Sequence, residues 1–256
     1  LSLLERSIRN LKDKLNIENI YVVTGFNHDQ VEKHILDLKL KYSISIETIY
    51  AKYWEKGNGF STIAALEKIK QNQFYLQMSD HLFSDNYYEK ILNYKVKENN
   101  SYLVISKNLS NFNNFKDATK VNIENDNIIN IGKSNFEHNG YDSGFFIFNK
   151  KNFKNIDFSN VKSLSLSELV EQVIKNQKLK SIEISEKSWI DIDTNQDLLN
   201  TKNFLLDNLY KKKGDGPVSR HINRPLSKQV TAKILDYKIT PNQISLSVFI
   251  LSIISG

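Results

Sequence analysis

Between Ile17 and Ile190 the chain switches repeatedly between short β-branched or aromatic runs and stretches of helical period, and this alternation restricts the fold more than any other feature. "IYVVTGF" (20–26) reads as a strand, and "HDQVEKHILDLKLKY" follows with Val31, Ile35 and Leu38 at helical spacing. "SIETIY" (45–50) is the next strand; the loop "AKYWEKGNG" then leads into the helix "FSTIAALEKIK" and a strand at 74–78. Strand, helix, strand in repetition predicts an α/β domain with a mostly parallel mixed sheet and helices on both faces. The middle of the chain differs. "SYLVISK", "TKVNIEN", "NIINIGK" and "SGFFIFNK" are strands joined by turns such as "NDN" (125–127), which predicts a hairpin layer beside the parallel sheet. A helix at 165–177, a strand at 180–184 and a helix after Asp193 complete the domain. At 40% apolar residues in 256, the chain has the material for a large core.

Charge divides the chain. Residues 211–238 hold eight Lys or Arg against two Asp, so they carry the whole net charge of +6 and the rest is balanced. "KKKGDGP" (211–217) combines charge, Gly and Pro and reads as a linker between a domain at 1–210 and a segment at 218–256. Within that segment Val218, Ile222 and Leu226 alternate with Arg220, Arg224 and Lys228. This is a basic amphipathic helix suited to an anionic headgroup surface. The apolar run "ISLSVFILSIISG" follows and stops short of the roughly 20 residues that cross a bilayer, so it reads as the start of a transmembrane helix. The positive side would be cytoplasmic, giving a cytoplasmic domain attached to the inner membrane. A nucleic-acid patch and a solvated linker are the alternatives; the segment lacks the aromatic platform of the first, and no nucleic-acid partner is expected. "LSLLERSIRNL" is already a helix in progress at residue 1, with Leu1, Leu4, Ile8 and Leu11 on one face, so the chain is expected to be truncated at both ends. With no Cys, disulfides, thiolate metal sites and a cysteine nucleophile are excluded.

Two acidic positions carry candidate chemistry. Asp80, in "MSDHLFS", stands where a buried strand ends, on the edge where α/β sheets bind ligands. Its side chain could hold Mg²⁺, which takes hard oxygen ligands, or could cap the turn before "NYYEKIL". In "WIDIDTNQDL", Asp191 and Asp193 are two apart on an expected strand and so share a face. Thr194 and Asp197 fit a capping box, which leaves Asp193 unexplained. One carboxylate from each of two strand ends would make a two-point grip on a metal that bridges phosphates.

"SLLERSIRNL", "VVTGF", "NGFSTIAA", "MSDHLFS", "DATKVNIENDNIINIGK", "YDSGFFIFN" and "WIDIDTNQDL", in this order, resemble the sugar-phosphate nucleotidylyltransferase superfamily. They are most similar to the inositol-1-phosphate cytidylyltransferase half of bifunctional enzymes whose second half is a CDP-alcohol phosphatidyltransferase. The resemblance covers about residues 1–205 and implies a Rossmann-like nucleotidyltransferase fold. It implies Asp80 and Asp193 as Mg²⁺ aspartates, Asn58 and Gly59 in the nucleobase loop, and Lys133 on the sugar-phosphate. Lys120 and Asp142 match the closer subfamily and would line the polyol pocket; read by themselves, both lysines are equally solvated strand ends. The implied substrates are CTP and inositol 1-phosphate, with CTP resting on the subfamily likeness alone. The family's opening Gly-rich, Lys-Pro-ending loop is absent, and the fragment itself is expected to be inactive.

"NRPLS" and "TPNQIS" resemble the opening of CDP-alcohol phosphatidyltransferases, with Asn223, Arg224, Pro241 and Asn242 at matching positions. The expected parent enzyme makes CDP-inositol and consumes it at the membrane. The rivals are a nucleotidylyltransferase for a hexose 1-phosphate or phosphocholine, and a non-catalytic nucleotide-binding module of a membrane transferase.

Overall fold

The structure, a computed structural model, describes the whole chain except residues 109–117, 155, 159, 186–187, 211–215, 235–236, 238 and 256. It is silent on the side chains of 203, 207–210, 220, 241, 251 and 255. Two compact units divide it, Leu1–Asp193 and Thr194–Gly256.

The first unit runs α1 (Leu3–Leu15), β1 (Asn19–Thr24), α2 (His28–Tyr42), β2 (Ser45–Tyr50), α3 (Asn58–Lys68), β3 (Gln73–Gln77), β4 (His81–Phe83) and α4 (Asp85–Asn93). It continues with β5 (Ser101–Ser106), β6 (Lys120–Glu124), β7 (Asn127–Gly132), β8 (Gly140–Asn149), α5 (Leu166–Asn176), β9 (Leu179–Ile184) and β10 (Trp189–Asp191). The helical periods and β-branched runs therefore fold as the alternation predicts. Ser165 shows why α5 starts where it does: its hydroxyl accepts from the Glu168 N–H while the Glu168 carboxylate returns to the Ser165 N–H.

Strand direction departs from expectation. Among the described residues a six-stranded sheet has the order β3-β8-β5-β9-β7-β6, and in it only β5 and β9 are parallel. β1 and β2 form a separate parallel pair. The sheet is mixed rather than mostly parallel. The predicted hairpin strands are not a layer beside it, because β8 pairs with β5 and β7 with β9, and β6 joins the same sheet through β7 and β8. Hydrophobic period reports which residues are buried and says nothing of strand direction, which explains the discrepancy.

Helices do cover both faces. Alternation along β5 and β8 sends Leu103, Ile105, Phe146 and Phe148 to one side, against Leu169, Val170 and Val173 of α5. Tyr102, Val104, Phe145 and Ile147 go to the other, against Tyr87, Tyr88 and Ile91 of α4. β1, β2, α1 and α2 enclose a third cluster around Ile8, Ile20, Ile35 and Ile46.

One irregularity places the site. Leu103 pairs with Phe146 but Ile105 pairs with Asp142, so β8 carries extra residues in between. Gly144 lies in this bulge at φ 75°, in the left-handed region. Its carbonyl accepts the Met78 N–H at 2.9 Å, which ties the turn after β3 to the bulge. A buried chain holds the bulge from behind: the Ser143 hydroxyl donates to the Val104 carbonyl (2.7 Å) and lies 2.6 Å from the Tyr87 hydroxyl.

The second unit contains α6 (Asn195–Tyr210), a π-helical turn (Ser219–Asn223), α7 (Arg224–Ile234) and α8 (Pro241–Ser255). Thr194 and Asp197 form the capping box read from the sequence. Val218, Ile222, Leu226 and Val230, one turn apart, are all exposed, as are Leu246, Val248, Phe249, Ile253 and Ile254 of α8. No helix among the described residues is long and apolar enough to cross a membrane. Most of the linker expected at 211–217 lies outside the described residues.

A Cβ at residue 144 would stand 2.8 Å from the His81 ring, on a backbone that L side chains avoid. Gly144→Ala should lower the unfolding free energy by about 1–3 kcal/mol in urea titrations and alter the near-UV signal of Trp189, whose ring stacks on His81. Unchanged stability would show that His81 does not pack there.

Candidate active site

The chain leaves β3 at Gln77, turns through Met78, Ser79 and Asp80, and resumes at once as β4. Asp80 therefore lies in a short turn between two strands, and the strand before it, expected to be buried, is half-exposed, because β3 is an end strand of the six-stranded sheet with only β8 beside it. β4 pairs antiparallel with β10 in the register Phe83 with Trp189, Leu82 with Ile190 and His81 with Asp191. The Ile192 N–H adds a rung to the Asp80 carbonyl (3.2 Å). Residues more than a hundred positions apart are thereby clamped together. Leu82 and Ile190 are buried, and the alternation gives the opposite face to His81, Phe83, Trp189 and Asp191.

On that face the His81 ring stacks on Trp189, with centroids 5.4 Å apart and planes within 3°. His81 Nδ1 is 2.8 Å from Asp80 Oδ1 and 3.5 Å from Asp191 Oδ1. One ligand atom from each of the three lies within 4.8 Å of the others. Asp191 Oδ1 is buried without a hydrogen-bond partner, a costly state for a carboxylate oxygen and one that a cation would relieve. Asp142 is near; its carboxylate accepts the Gly144 N–H at 2.7 Å.

The electrostatics separate these carboxylates. Burial alone would raise Asp80, but the hydrogen bond from His81, with the charges of His81 and Lys133, outweighs it and holds Asp80 below the usual range. Burial raises Asp191 to about 6 against the pull of His81, with Asp193 and Asp80 pushing the same way. Burial likewise raises Asp142 to about 6, opposed by the Gly144 N–H and His81. His81 is lifted overall: burial lowers it, while the Asp80 hydrogen bond and the charges of Asp191, Asp80 and Asp142 prevail.

The structure brings most of the predicted residues to this end of the sheet. Lys133 directly follows β7, and its charge reaches Asp80. Lys120 begins β6 opposite both Gly132 and Tyr141, and its ammonium donates to the Lys133 carbonyl at 3.3 Å. Asp142 is half-buried beside them. Asp193 lies beyond the end of β10 and is exposed, so the expected strand does not extend to it; its charge still bears on Asp191, which is the residue placed against Asp80 and His81.

Asn58 and Gly59 have structural duties. Asn58 Oδ1 accepts the Leu166 N–H (2.6 Å) at the start of α5, and a Cβ on Gly59 would meet Leu164 and Ser165 at 2.7–2.8 Å. Gly59 admits the close approach of α3 to the 164–165 segment. Asn223 is exposed at the end of the π-helical turn, Arg224 is half-buried at the start of α7, and Pro241 and Asn242 open α8, with the Pro241 side chain outside the described residues. His81, Gly144 and Trp189 were not singled out from the sequence. Matching "HLF" to "WID" as an antiparallel pair would have exposed two of them.

A carboxyl raised in the folded state stabilises the fold while protonated, and that contribution fades as pH rises through its folded value. In metal-free buffer Asp191→Asn should therefore melt above the parent at pH 7, with the difference closing as pH falls from about 6 toward 4. Equal melting temperatures at pH 7 would contradict the burial of this carboxylate.

No family model matches the chain. It is 31% identical over 256 residues to the bifunctional IPC transferase and DIPP synthase of Aquifex aeolicus, covering 99% of this chain and 56% of that protein. The protein of the same name from Thermococcus kodakarensis is 30% identical, again over 99% and 56%. The chain thus spans about half the length of the curated relatives it matches. Among solved structures, the inositol-1-phosphate CTP transferase from T. maritima superimposes with a TM-score of 0.69 at 22% identity, covering 83% of this chain and 85% of that one. A putative glucose-1-phosphate thymidylyltransferase from Bacillus anthracis gives 0.62 at 17% identity, over 84% of each. These relatives and structural neighbours are nucleotidyltransferases by name. The resemblance carried by the motifs is borne out: along almost its whole length the chain is similar to the bifunctional IPC transferase and DIPP synthases, and its fold is that of the nucleotidyltransferases.

Proposed function

We propose that the protein from which this chain derives transfers a cytidylyl group from CTP to inositol 1-phosphate, with a divalent metal, Mg²⁺ by its preference for hard oxygen ligands, held at the Asp80 end of the sheet. The observation that carries the reading is the convergence of Asp80 and Asp191 on one point beside Lys133, with an unpartnered buried carboxylate oxygen facing in. Asp80 and Asp193 are the metal aspartates by resemblance, and Asp191 belongs to the same acidic pocket. A metal bound there would screen the phosphate charges.

A phosphate oxygen of the acceptor attacks the α-phosphorus of CTP; one P–O bond forms, the α–β bond breaks, and pyrophosphate leaves. No protein nucleophile is required, so the side chains contribute by positioning and neutralising charge. Lys133 holds the acceptor phosphate. Lys120 and Asp142, on neighbouring strands, face the polyol. Asn58 and Gly59 serve the nucleobase through the shape of their loop, since the Asn58 side chain is already engaged.

The test is pyrophosphate release by the full-length protein, with CTP, dTTP, GTP and ATP each offered inositol 1-phosphate, glucose 1-phosphate and phosphocholine. CTP with inositol 1-phosphate should dominate, and Asp80→Asn should lower its rate by about a hundredfold or more while the melting temperature stays near the parent's. Preference for dTTP with glucose 1-phosphate would favour a sugar nucleotidylyltransferase, and no release from any pair would favour a nucleotide-binding module.

The segment from residue 218 onward is the second part of the proposal, the beginning of a CDP-alcohol phosphatidyltransferase domain at the cytoplasmic face of the inner membrane. Its support is the exposed apolar row Val218, Ile222, Leu226 and Val230 beside basic residues, followed by the exposed apolar α8. Asn223, Arg224, Pro241 and Asn242 would stand near that domain's CDP-alcohol site. Joining the two domains raises the local concentration of the intermediate. The chain should co-sediment with vesicles containing anionic lipid and be released by high salt; equal retention on neutral vesicles would remove the electrostatic half of this reading.

A further inference from the structure

His81 offers a nitrogen within reach of both carboxylates, so by distance alone it could be a third metal ligand. Its surroundings say otherwise. An ionised carboxylate can only accept, so the 2.8 Å contact to Asp80 Oδ1 places a proton on Nδ1 and leaves that nitrogen no lone pair for a metal. The other nitrogen, Nε2, lies on the opposite edge of the ring, against the Gly144 backbone, where a Cβ would meet it at 2.9 Å. The ring is immobilised between that glycine and the near-parallel face of Trp189, and its side chain is only 11% exposed.

We propose that His81 is a positioning residue: locked by Trp189 and Gly144, it donates Nδ1–H to Asp80 Oδ1 and stands 3.5 Å from Asp191 Oδ1, and so holds the two carboxylates at a fixed spacing for the cation without ligating it, leaving the Asp191 oxygen free for the ion. The inference rests on the reading of these carboxylates as cation-binding. It deepens that reading by assigning a role to a residue outside the ligand set. Two carboxylates this close repel each other, and an imidazole hydrogen-bonded to one and lying 3.5 Å from the other lets them hold one geometry before any cation arrives. His81 is paired in register with Asp191 and adjacent in sequence to Asp80, so the β4–β10 ladder fixes both its contacts at once.

Two measurements on the 256-residue chain test this. In long-range ¹H–¹⁵N spectra of the parent, His81 should carry its proton on Nδ1 both without and with Mg²⁺. Loss of that proton on Mg²⁺ addition, as ligation through Nδ1 demands, would overturn the proposal. In the second measurement, Mn²⁺ broadening of the Trp189 indole signal reports cation affinity. His81→Asn keeps an N–H near the Nδ1 position, whereas His81→Phe keeps the ring and loses the donor. The Asn variant should stay within about threefold of the parent and the Phe variant should weaken about tenfold or more, as expected for loss of a group that orients ligands. Equal weakening in both, or none in either, refutes a positioning role. Failure of the metal reading itself would look different: Mn²⁺ would broaden nothing in the parent, yet the Nδ1 proton would still shift on Asp80→Asn and on Asp191→Asn. A proton indifferent to both substitutions would overturn the inference independently of any cation.

Discussion

A three-residue antiparallel ladder between β4 and β10 is the constraint on which the candidate site depends. It is too short to be stable alone. The Leu82 and Ile190 side chains on its buried face, and the Phe83, Tyr87 and Phe145 ring cluster nearby, supply the burial that a short ladder lacks. Backbone pairing brings Asp191 opposite His81, and sequence adjacency adds Asp80. The protein thus uses sheet register, the most rigid coordinate it has, to fix the spacing of two like charges.

The bulge in β8 is the complementary device. A regular β8 would carry its side chains straight past the end of β3 with no room for the His81 ring. The left-handed backbone at Gly144 turns a carbonyl to Met78 and an N–H to Asp142, while its missing side chain leaves the place the imidazole occupies. The Tyr87, Ser143 and Val104 hydrogen bonds satisfy the polar atoms of this irregular stretch from behind. A distortion in one strand is in this way converted into a fixed position for residues on another.

Much of this could be read from residues alone, and the boundary is physical. Helices α2 and α5 and strand β2 follow from period and caps, which are local properties, and so does the Thr194 capping box. Asp80 was legible as a polar residue ending an apolar run, although that run, β3, is half-exposed and not the buried strand its composition suggested. Strand direction was not, because β5 and β9 show the same apolar runs whether their neighbours run with them or against them. Asp191 was read as the companion of Asp193 on one strand face; the strand ends at Asp191, and only the pairing with β4 reveals which of the two meets Asp80. Asn58 and Gly59 drew attention through a motif, while their contacts with α5 and its leading segment depend on packing across about a hundred residues of chain. His81 went unmarked because a histidine after an aspartate carries no signal until a tryptophan is known to lie beneath it.

Several departures from ordinary folding rules collect around the candidate site. A buried carboxylate oxygen without a partner, two carboxyls lifted to about 6, a non-helical left-handed glycine and a broken strand all fall within the Asp80, Asp142, Gly144 and Asp191 neighbourhood. Others are scattered through the first unit, such as the left-handed backbones of Asn16, Asn27 and Ser43 and the buried, unpartnered Asn152 Oδ1, but none of those brings two carboxyls together. Each departure costs stability, and none is required to build the three apolar clusters that hold the unit together. A sequence under selection for folding alone would replace Asp191 with a neutral side chain. Its presence against another carboxylate points to a requirement outside folding, and two carboxylates held beside a lysine are the arrangement on which the proposed binding of a metal and a phosphate ester rests.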